Sequence, residues 1–599
     1  MDDKKDWKRF KKLKFDSKSL SRRAKKAETA TTKHAHKFVL KKLSNLRAVR
    51  QYISLWFLLI AALIGALILQ ILWFQGSYLT RVATNGGTYA EAIESELTTL
   101  NPLYAKTEAE ESARHLLFSG LLGRDAAGGT RYDLASSYTI DQSGKVYTVV
   151  LRPNLKWSDG ANLTAQDVVF TVNTMKNPAS RSVMGTSWQG VAVRALDDSK
   201  VEFSLPAPYA AFTDALSFSV LPKHILGSVE PSMIRESQFG VNPVGSGPFS
   251  LRLLQKVSGE SARKTVYMTA NEHYFRAPIK LDRFELHVYS SSEAVLRAVK
   301  THDVNAMIDT RHTIKAESLP ADFVQKVVPI NNATYAFFNM DSPLLSEVKI
   351  RQALWAATDV NGLRRSVDEM AHPMPLPLLA SQIPLEDAAS LVPKYDVAAS
   401  EKILDELGWK KGAKGVRTKD GATLTLRVVA NKTAGYRPLL NMLEQQWKDL
   451  GVDVKVQEFA QQAGGQGFVQ SVLQPRGYDV LINEIAIGAD PDVFAYWHSS
   501  QASSQRLNFS NYRNKTIDDI LISARQRSDI NLRNEKYKAF VRQWTADAPA
   551  IPLFQPVIHY AHTKRTTSFP ESVSLPTASG RYGNIDYWTA ERGTVYKTP

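Results

Sequence analysis

The chain has 599 residues, 44% hydrophobic and 22% charged, which is long enough for several domains or for one large body with subdomains. It contains no Cys, which excludes disulfides, thiolate metal sites, Cys nucleophiles and a lipid-modified Cys anchor. The formal net charge is +16, but residues 1–50 carry 18 Lys and Arg against 5 Asp and Glu, so the remainder is nearly neutral.

Residues 1–50 therefore form a basic tail, which we predict to be cytoplasmic. Phe38, Leu43 and Leu46 recur at helical spacing among Lys and Arg, a pattern typical of an amphipathic helix on a membrane surface. The alternative is a disordered tail whose charges only set the membrane topology. The tail has few interleaved aromatic residues and no nucleic-acid-binding motif, so we expect no nucleic-acid partner.

An apolar segment follows at residues 53–74, interrupted only by Ser54, Gly65 and Gln70. Its length as a helix matches a hydrocarbon core of about 30 Å. We predict a transmembrane helix over residues 51–76, a linker over 77–85, and a main body on the extracytoplasmic side, because basic flanks stay in the cytoplasm. A cleaved signal peptide is the alternative, but the apolar run exceeds the usual length of about 7 to 15 residues and no small-residue cleavage site follows.

Beyond the linker, β-branched and aromatic runs alternate with amphipathic helical patterns, which predicts a mixed α/β body. We predict strands at residues 146–151, 200–205, 284–289, 334–339, 423–429, 453–459 and 478–484. We predict helices at residues 108–118, 165–177, 292–300, 347–359, 398–407, 437–450, 517–528 and 532–548.

One segment, residues 152–172, reads RPNLKWSDGANLTAQDVVFTV. The Ser-Asp-Gly triplet predicts a turn, and Thr164 with Asp167 three residues later predicts a capping box at the start of a helix. As a composite, this segment resembles the signature region of the family 5 extracytoplasmic solute-binding proteins, the dipeptide- and oligopeptide-binding components of ABC importers.

Further motifs resemble the same family in the same chain order, over roughly residues 85–560. They are GTY at 87–89, LNPL at 100–103, NPVGSGPF at 242–249, VKIRQAL at 348–354, LGVDV at 450–454, GYD at 477–479, DPD at 490–492 and APAIPL at 548–553.

The resemblance implies a two-lobed periplasmic-binding-protein-like clamp whose lobes are joined by hinge crossovers. Carried onto this chain, lobe 1 takes residues 85–332, including an inserted subdomain at about 100–235. Lobe 2 takes residues 333–552, and residues 553–599 return to lobe 1.

The implied function is an extracytoplasmic receptor that binds peptides between the lobes and delivers them to a permease with a separate ATPase. We expect a monomer that needs no cofactor or metal and is not an enzyme. Alternatives are a ligand sensor or adhesion protein built on the same clamp, an extracellular hydrolase, or a binder of a non-peptide solute such as a nickel complex or an oligosaccharide.

The resemblance also implies candidate ligand-binding residues, although its peptide-binding pattern does not transfer cleanly. The position of the amine-binding Asp holds Ile487, and the preceding Trp position holds Glu484, which could supply the negative charge instead. Lys432 stands where an Arg would meet a carboxylate, but it lacks the two-pronged geometry of Arg. The full set of candidates is Glu94, Ser95, Tyr335, Asn339, Lys432, Glu484, Ile485, Ile487, Asp490 and Trp497.

Three other patterns have simpler structural interpretations. His559 and His562 have metal-compatible spacing, but no third ligand is evident nearby. The Gly245-Ser246-Gly247 segment lacks the Lys-Ser/Thr ending of a phosphate loop, and a crossover turn explains it. Asp490 and Asp492 fit a turn that caps a following helix better than a catalytic or calcium site.

Overall fold

The computed structural model describes residues 49–125, 129–259, 262–310, 314–432, 435–459, 466–570 and 574–596, with isolated residues between 22 and 37. Two compact units are present, one of residues 1–82 with 593–599 and one of residues 83–592. The predicted amphipathic segment around Leu43 lies outside the described residues.

The strands, in chain order, are β1 Leu79–Thr84, β2 Thr88–Glu94, β3 Leu122–Arg124, β4 Thr130–Tyr132, β5 Ala135–Ile140, β6 Val146–Leu151, β7 Ala192–Asp197, β8 Lys200–Ser204, β9 Phe249–Val257, β10 Arg263–Ala270, β11 Arg283–Tyr289, β12 Ala306–Asp309, β13 Phe323–Pro329, β14 Asn332–Phe338, β15 His372–Pro373, β16 Lys410–Lys411, β17 Arg417–Lys419, β18 Ala422–Thr423, β19 Thr425–Asn431, β20 Asp453–Phe459, β21 Val480–Ala486, β22 Ala550–Gln555, β23 Val557–Thr563 and β24 Glu591–Tyr596.

The longer helices are α1 Arg50–Tyr78, α2 Glu108–Leu117, α3 Ala165–Lys176, α4 Ser292–Lys300, α5 Val348–Ala356, α6 Val360–Val367, α7 Val397–Glu406, α8 Arg437–Leu450, α9 Lys515–Gln526 and α10 Ile530–Asp547. Short helices include Phe212–Ala215, Lys223–Leu226, Ala388–Leu391 and Phe494–Trp497, and a 3-10 segment spans Ala578–Tyr587.

In the first unit, α1 contains a 23-residue span, Tyr52–Phe74, that is long and apolar enough to cross a membrane. Its large apolar side chains, such as Leu58 and Leu69, are exposed rather than packed against protein. The helix is therefore unlike the core helix of a soluble domain, which is mostly buried, and membrane anchors and signal sequences share its length and composition. Strands β1 and β24 pair with each other.

In the second unit, lobe 1 is built on a seven-stranded sheet in the order β13-β23-β12-β2-β11-β10-β9. A separate antiparallel sheet, β5-β6-β8-β7, packs into the same hydrophobic core. A smaller apolar cluster around α4 covers part of the large sheet and includes Val295, Val299 and Ala92. Both faces of the central strands are therefore covered, which suits the parallel pairing of β2 with β11 and β12.

Lobe 2 is built on a six-stranded sheet in the order β15-β22-β14-β21-β19-β20, with its own core. Strand β21 is parallel to β19 and antiparallel to β14. Helix α8 has Pro438 in its first turn and ends at Gly451, whose φ of 97° is readily adopted only by glycine. Its buried leucines and Trp447 anchor it in the lobe 2 core.

Two short connections join the lobes. Strand β13 of lobe 1 leads through Ile330 and Asn331 into β14 of lobe 2, and β22 returns through Pro556 into β23 of lobe 1. The connections contact each other, because the Ile330 amide donates to the Pro556 carbonyl at 3.1 Å. Two adjacent single-stranded links of this kind form a hinge about which the lobes can rotate.

The signature segment lies inside lobe 1. The predicted capping box at α3 is confirmed. The Thr164 side chain accepts a hydrogen bond from the Asp167 backbone amide, and the Asp167 side chain accepts one from the Thr164 backbone amide. Gly245 and Gly247 lie in lobe 1, in the turn that leads into β9. These glycines pack on the end of α2, where a Cβ on Gly245 would stand 1.8 Å from the Leu117 carbonyl oxygen. Close backbone approach within one lobe explains them.

Candidate functional site

A cavity of about 500 Å³, here called the interlobe cavity, lies beside the hinge and takes its walls from both lobes. Its lobe 1 residues are Glu108, Glu111, Thr310, Val557, Thr577, Ala578 and Ser579. Its lobe 2 residues are Asn332, Val367, Asp368, Ala371, Asn431, Tyr436, Asn483, Glu484, Ala486 and Phe554, and the hinge adds Ile330 and Pro556. The volume lies within the range typical of small-molecule sites.

The lobe 2 side, here called the strand wall, is formed by the ends of β14 and β21. Glu484 and Ala486 face the cavity, while the intervening Ile485 points into the core, as strand alternation requires. The Asn332 side-chain amide donates to Glu484 Oε1 at 2.6 Å. Glu484 is accessible through the open cavity but surrounded by protein atoms, and this loss of hydration raises the pKa of its carboxyl group.

The lobe 1 side, here called the helix wall, is formed by the first turn of α2. Thr107 and Glu110 form a capping box, and this places Glu108 and Glu111 on the first turn, where carboxylates are favoured. The Glu108 carboxylate accepts a hydrogen bond from Arg581 at 2.8 Å. Burial nevertheless raises the pKa of Glu108, and the Arg581 charge opposes this shift.

Arg581 is fully buried behind the helix wall. Its guanidinium contacts Glu91 at 2.6 Å as well as Glu108, so one cation serves two carboxylates. The Tyr582 hydroxyl donates to Glu91, and Arg581 also donates to Ser112 at 2.9 Å. This hydrogen-bonded cluster fixes the C-terminal segment against α2 and so shapes the cavity.

Two further carboxylates at the cavity are paired. Glu111 contacts Arg114 one turn later on α2 at 2.8 Å. Asp368, at the end of α6 in lobe 2, lies 2.6 Å from His559 on β23 in lobe 1. The latter contact crosses between the lobes at the back of the cavity.

The lobes also touch at a second place, between the inserted sheet region and lobe 2. The Ala210 amide of lobe 1 donates to the Arg525 carbonyl of lobe 2 at 2.9 Å. The Arg525 guanidinium lies 4.9 Å from the Tyr209 ring centre and 4.2 Å from that of Phe494, and it pairs with Asp492 at 2.8 Å. The lobes therefore contact each other both at the hinge and at this second place.

A second cavity of about 290 Å³ adjoins the first at Thr577. It is lined by several guanidinium groups, but these are paired with carboxylates of lobe 1. The pairs are Arg124 with Asp214, Arg131 with Asp133, and Arg276 with Asp586. Its charges are thus largely balanced within the protein.

Among the predicted ligand-binding residues, Glu484 lines the interlobe cavity and most of the others lie elsewhere. Tyr335 and Trp497, predicted to face the cleft, are instead fully buried in the lobe 2 core. The Tyr335 hydroxyl donates to the Pro377 carbonyl at 2.8 Å, and Trp497 packs edge-on against Trp544 with ring centres 5.1 Å apart. Aromatic packing within the lobe occupies both rings.

Four more predicted contacts are held by lobe 2 itself. Ile485 and Ile487 are buried apolar residues of the core. Asn339 is also buried and donates to the Tyr478 carbonyl at 3.0 Å. Asp490 pairs with Arg533 of α10, while Asp492 accepts a hydrogen bond from the Phe494 amide at 3.2 Å, at the start of the short helix Phe494–Trp497. These positions do not reach the cavity.

The last three predicted ligand contacts are Glu94, Ser95 and Lys432. Glu94, at the end of β2, accepts a hydrogen bond from Ser292, and Ser95 accepts one from the Ala109 amide at 3.2 Å. Lys432 is exposed and directly follows Asn431, which lines the cavity. None of these three is itself among the described cavity-lining residues.

Several cavity residues were not predicted, namely Asn332, Asn431, Tyr436, Asp368, Glu108, Glu111 and the 577–579 segment. Asn332 and Asn431 are end residues of the observed strands β14 and β19, and each lies two residues outside the predicted strands 334–339 and 423–429. Polar residues just beyond a predicted strand were therefore an available signal. The acids of α2 gave no such signal, because carboxylates are common in any first helical turn.

The structure groups no three His, Asp or Glu residues in metal-binding geometry within the part of the chain that it describes. His559 pairs with Asp368, and His562 lies buried with Nδ1 3.0 Å from the Thr566 hydroxyl. Burial lowers the pKa of His562 to about 4.

Comparison with known proteins agrees with this architecture. The family model described as bacterial extracellular solute-binding proteins, family 5 Middle, matches residues 130–506. The oligopeptide-binding protein AppA of Bacillus subtilis is 26% identical over 499 residues, covering 80% of this chain and 87% of AppA. The dipeptide-binding protein of Escherichia coli is 25% identical over 457 residues, covering 71% and 81%.

Solved structures with the same fold include two with different bound solutes. NikZ from Campylobacter jejuni, in complex with Ni(L-His), has a TM-score of 0.70 and 26% identity, covering 84% of this chain and 99% of NikZ. AppA from Bacillus subtilis, in complex with a nonapeptide, has a TM-score of 0.69 and 24% identity, covering 85% and 99%.

Proposed function

This chain belongs to the family 5 bacterial extracellular solute-binding proteins, and on that premise we propose that it is a membrane-tethered receptor that captures peptides for an ABC importer. The interlobe cavity is the observation that carries the proposal. It lies beside a two-strand hinge and is walled by both lobes, so a solute bound there stabilises the closed arrangement. Capture without chemical change of the solute, and release to a permease with its ATPase, complete the proposed role.

We propose peptides as the solute because two peptide-binding proteins, AppA and the dipeptide-binding protein, align with most of this chain. The cavity offers amide groups from Asn332, Asn431 and Asn483, together with the Tyr436 ring. Side-chain amides can donate to and accept from a peptide backbone irrespective of its sequence. Among the predicted ligand contacts we retain Glu484 as the primary one, with Lys432 at the rim beside Asn431.

A nickel complex is a second candidate, because NikZ shares the fold at 26% identity. Mass spectrometry and elemental analysis of the purified full chain would separate the two candidates. Co-purifying peptides support the proposal, whereas stoichiometric nickel with a small chelator would replace it.

The tether is the second part of the proposal. Helix α1 is long and apolar enough to span a bilayer, it follows a basic tail, and the chain has no Cys for a lipid anchor. We propose a single-pass anchor with a cytoplasmic N-terminus. Such an anchor keeps the receptor near its permease, which raises its effective concentration there.

Membrane fractionation of expressing cells tests the tether. We expect the full chain in the membrane pellet after high-salt and carbonate washes, and a variant of residues 83–592 in the soluble fraction. Because residues 83–592 form a compact unit, the soluble variant should retain ligand binding. A full chain that is shortened by the length of a leader and found in the soluble fraction would show that α1 is a cleaved signal peptide.

A further inference from the structure

We propose that the free edge of strand β9 is a docking site for an extended, acidic segment of a partner protein, which adds a strand to the sheet of lobe 1. Strand β9 ends the order β13-β23-β12-β2-β11-β10-β9, so β10 is its one neighbour among the described strands. No β9 residue is among the described residues that line the interlobe cavity. The site is therefore separate from solute binding, and the inference goes beyond the proposed function.

The backbone of β9 is available for strand addition. Strand β9 pairs antiparallel with β10 along its length, from Phe249 to Val257. Alternate residues of an edge strand direct their N–H and C=O groups away from the sheet. Among the residues that the structure describes, no backbone group outside β10 forms a hydrogen bond with the β9 backbone. A partner strand can therefore form the main-chain hydrogen bonds that give affinity in this mode of recognition.

Two grooves meet along this edge, one on each face of the sheet. The narrow groove, of about 210 Å³, is completed by Tyr267 of β10 and Glu285 of β11. The wide groove, of about 450 Å³, takes Leu251 and Leu254 from β9 and also Val241, which precedes β9. Both grooves share three lining residues of β9, namely Arg252, Leu253 and Gln255. Because successive side chains of a strand point to opposite faces, an added strand would direct its side chains into the two grooves in turn.

Apolar side chains at this edge are exposed to solvent. The exposed fraction is 52% for Leu253 and 47% for Val241, and both residues line the wide groove. A docked strand would cover both side chains, and the removal of apolar surface from water favours binding. The wide groove therefore favours an apolar side chain at alternate positions of the partner segment.

The charges at the grooves favour an acidic segment. Arg252 and Lys256 belong to β9 itself, and both are exposed. Arg283 lines the narrow groove and Lys264 lines the wide groove, whereas Glu285 is the one acidic residue that the described part of the chain contributes to either lining. Four cations therefore stand against one carboxylate. Glu or Asp side chains on a docked strand complement this charge, which favours encounter and fixes the orientation of the partner.

A second copy of this chain does not fit the edge. The pairing of β9 with β10 shifts register between Tyr267 and Met268, which leaves Arg252 as an extra residue. Bulges and charged side chains on an edge strand hinder pairing between identical edges. Two β9 edges side by side would also bring the Arg252 and Lys256 cations of both copies together, and like charges on neighbouring strands are destabilising. The basic tail of residues 1–50 has the same sign of charge and does not fit either.

The experiment uses the full chain in detergent micelles and fluorescent heptapeptides with blocked ends. The acidic probe has the sequence TEVEVET, and the basic probe has the sequence TKVKVKT. A third probe is the acidic peptide with N-methyl groups on an adjacent Val and Glu at its centre, which removes one N–H from each edge of the peptide. Fluorescence anisotropy measures the affinity of each probe, and amide hydrogen exchange over residues 249–257 locates it.

We expect the acidic probe to bind at least about tenfold more tightly than the other two, because it alone has both the complementary charge and all its backbone donors. Its binding should slow hydrogen exchange in β9. Equal affinity for the basic probe overturns the acidic character of the partner, and equal affinity for the N-methylated probe overturns strand addition. Absence of binding, or unchanged exchange in β9, overturns the docking site.

Variants separate this edge from the interlobe cavity, which we propose to bind peptides as well. The double variant Arg252→Glu with Lys256→Glu should bind the acidic probe about tenfold more weakly and the basic probe more tightly. Lys223→Glu is the control for charge, because Lys223 is exposed on lobe 1 and lines neither groove. Glu484→Gln, in the cavity, should leave both affinities unchanged. Thermal unfolding checks that each variant is folded.

A loss of acidic-probe binding in Glu484→Gln, with none in the double variant, would place the probe in the interlobe cavity. That result overturns docking at β9 and leaves the proposed function standing. Sedimentation of the full chain tests the other occupant, and we expect the unmodified protein and the double variant to have the same mass. A dimer that the double variant dissociates would assign the edge to a second copy and overturn the proposal.

Discussion

On the helix wall of the interlobe cavity, Glu108 contacts a buried guanidinium. On the strand wall, the hydrogen-bond partner of the Glu484 carboxylate among the described residues is the neutral side-chain amide of Asn332. Burial raises the pKa of both carboxyl groups, yet only Glu108 has a counter-charge that opposes the shift. The helix wall is therefore built mainly by the protein's own ion pairs, whereas the strand wall has a carboxylate that forms no ion pair among the described residues.

This difference separates stability from recognition. The Arg581 cluster joins the C-terminal segment to α2 and is buried, so its loss affects folding first. Glu484 is reachable from solvent and is part of no ion pair among the described residues, so its loss affects binding first.

The largest expected effect comes from breaking the helix wall with Arg581→Met. Met has similar length but no charge, so Glu91 remains buried without a cation. We expect the free energy of unfolding to fall by about 3–5 kcal/mol, as for other buried pairs that lose one partner. Urea denaturation of residues 83–592, followed by fluorescence, measures it.

The control for this prediction is Arg542→Met, since Arg542 pairs with Asp387 on the surface with both side chains more than 40% exposed. That pair should contribute no more than about 1 kcal/mol. On the strand wall, Glu484→Gln should leave stability unchanged or slightly raise it, because burial disfavours the charged form. Similar stability losses in Arg581→Met and Arg542→Met would contradict the proposed difference between the walls.

The sequence predicted the elements of the fold because their signals are local. Hydrophobic periodicity and capping located α2, α3 and α8 within one or two residues of their observed ends. The apolar run of α1 needs no tertiary context to be recognised. The two-lobed architecture came from the ordered motifs of the family, since periodicity alone does not determine which strands pair.

The cavity was harder to predict because side-chain direction decides it. Adjacent residues of a strand point to opposite faces, yet Asn483 and Glu484 both line the cavity, so alternation alone does not identify the lining residues. The polar side chain of Glu484 favours the solvent-exposed face of the strand, and the structure places Ile485 in the core. Tyr335 and Trp497 have aromatic rings of the kind that stack on ligands, but in the folded lobe both rings pack against Trp544. The sequence around each residue does not show this packing.

Other cavity residues depended on contacts between distant parts of the chain. Glu108 and Arg581 are far apart in sequence, and residues 577–579 lie beyond the motifs that resemble the family. Nothing local distinguishes Glu108 from an ordinary acid in a first helical turn. Only the folded chain shows that its counter-charge is shared with Glu91.

We expect an intermediate effect from Asn332→Leu, because this substitution removes a hydrogen bond that stabilises the ionised carboxylate of Glu484. The Asn332 hydrogen bond lowers the pKa of Glu484, partly opposing the rise caused by burial. Removing this bond should raise the pKa of Glu484 further. Cation binding needs the ionised carboxylate, so affinity for a cationic peptide should begin to fall at a higher pH than in the unmodified protein.

Calorimetry between pH 8 and pH 5 measures this shift with the cationic peptide and its neutral analogue. The two proteins should bind the cationic peptide most similarly at pH 8, and the variant should lose affinity first as the pH falls. The neutral peptide should show no such difference. An upward shift with both peptides would mean that Asn332 acts on the shape of the cavity rather than on the charge of Glu484.

The smallest effect is expected away from both walls, at the contact between Tyr209 of lobe 1 and Arg525 of lobe 2. Tyr209→Leu removes this cation–π contact between the lobes, while Arg525 keeps its pairing with Asp492. Neither Tyr209 nor Arg525 lines the interlobe cavity. The affinity should therefore fall about two- to fivefold for cationic and neutral peptides alike. Tyr132→Leu, an exposed lobe 1 position whose ring contacts Tyr138, should change neither affinity. A loss confined to the cationic peptide would show that closure and charge recognition are not separable here.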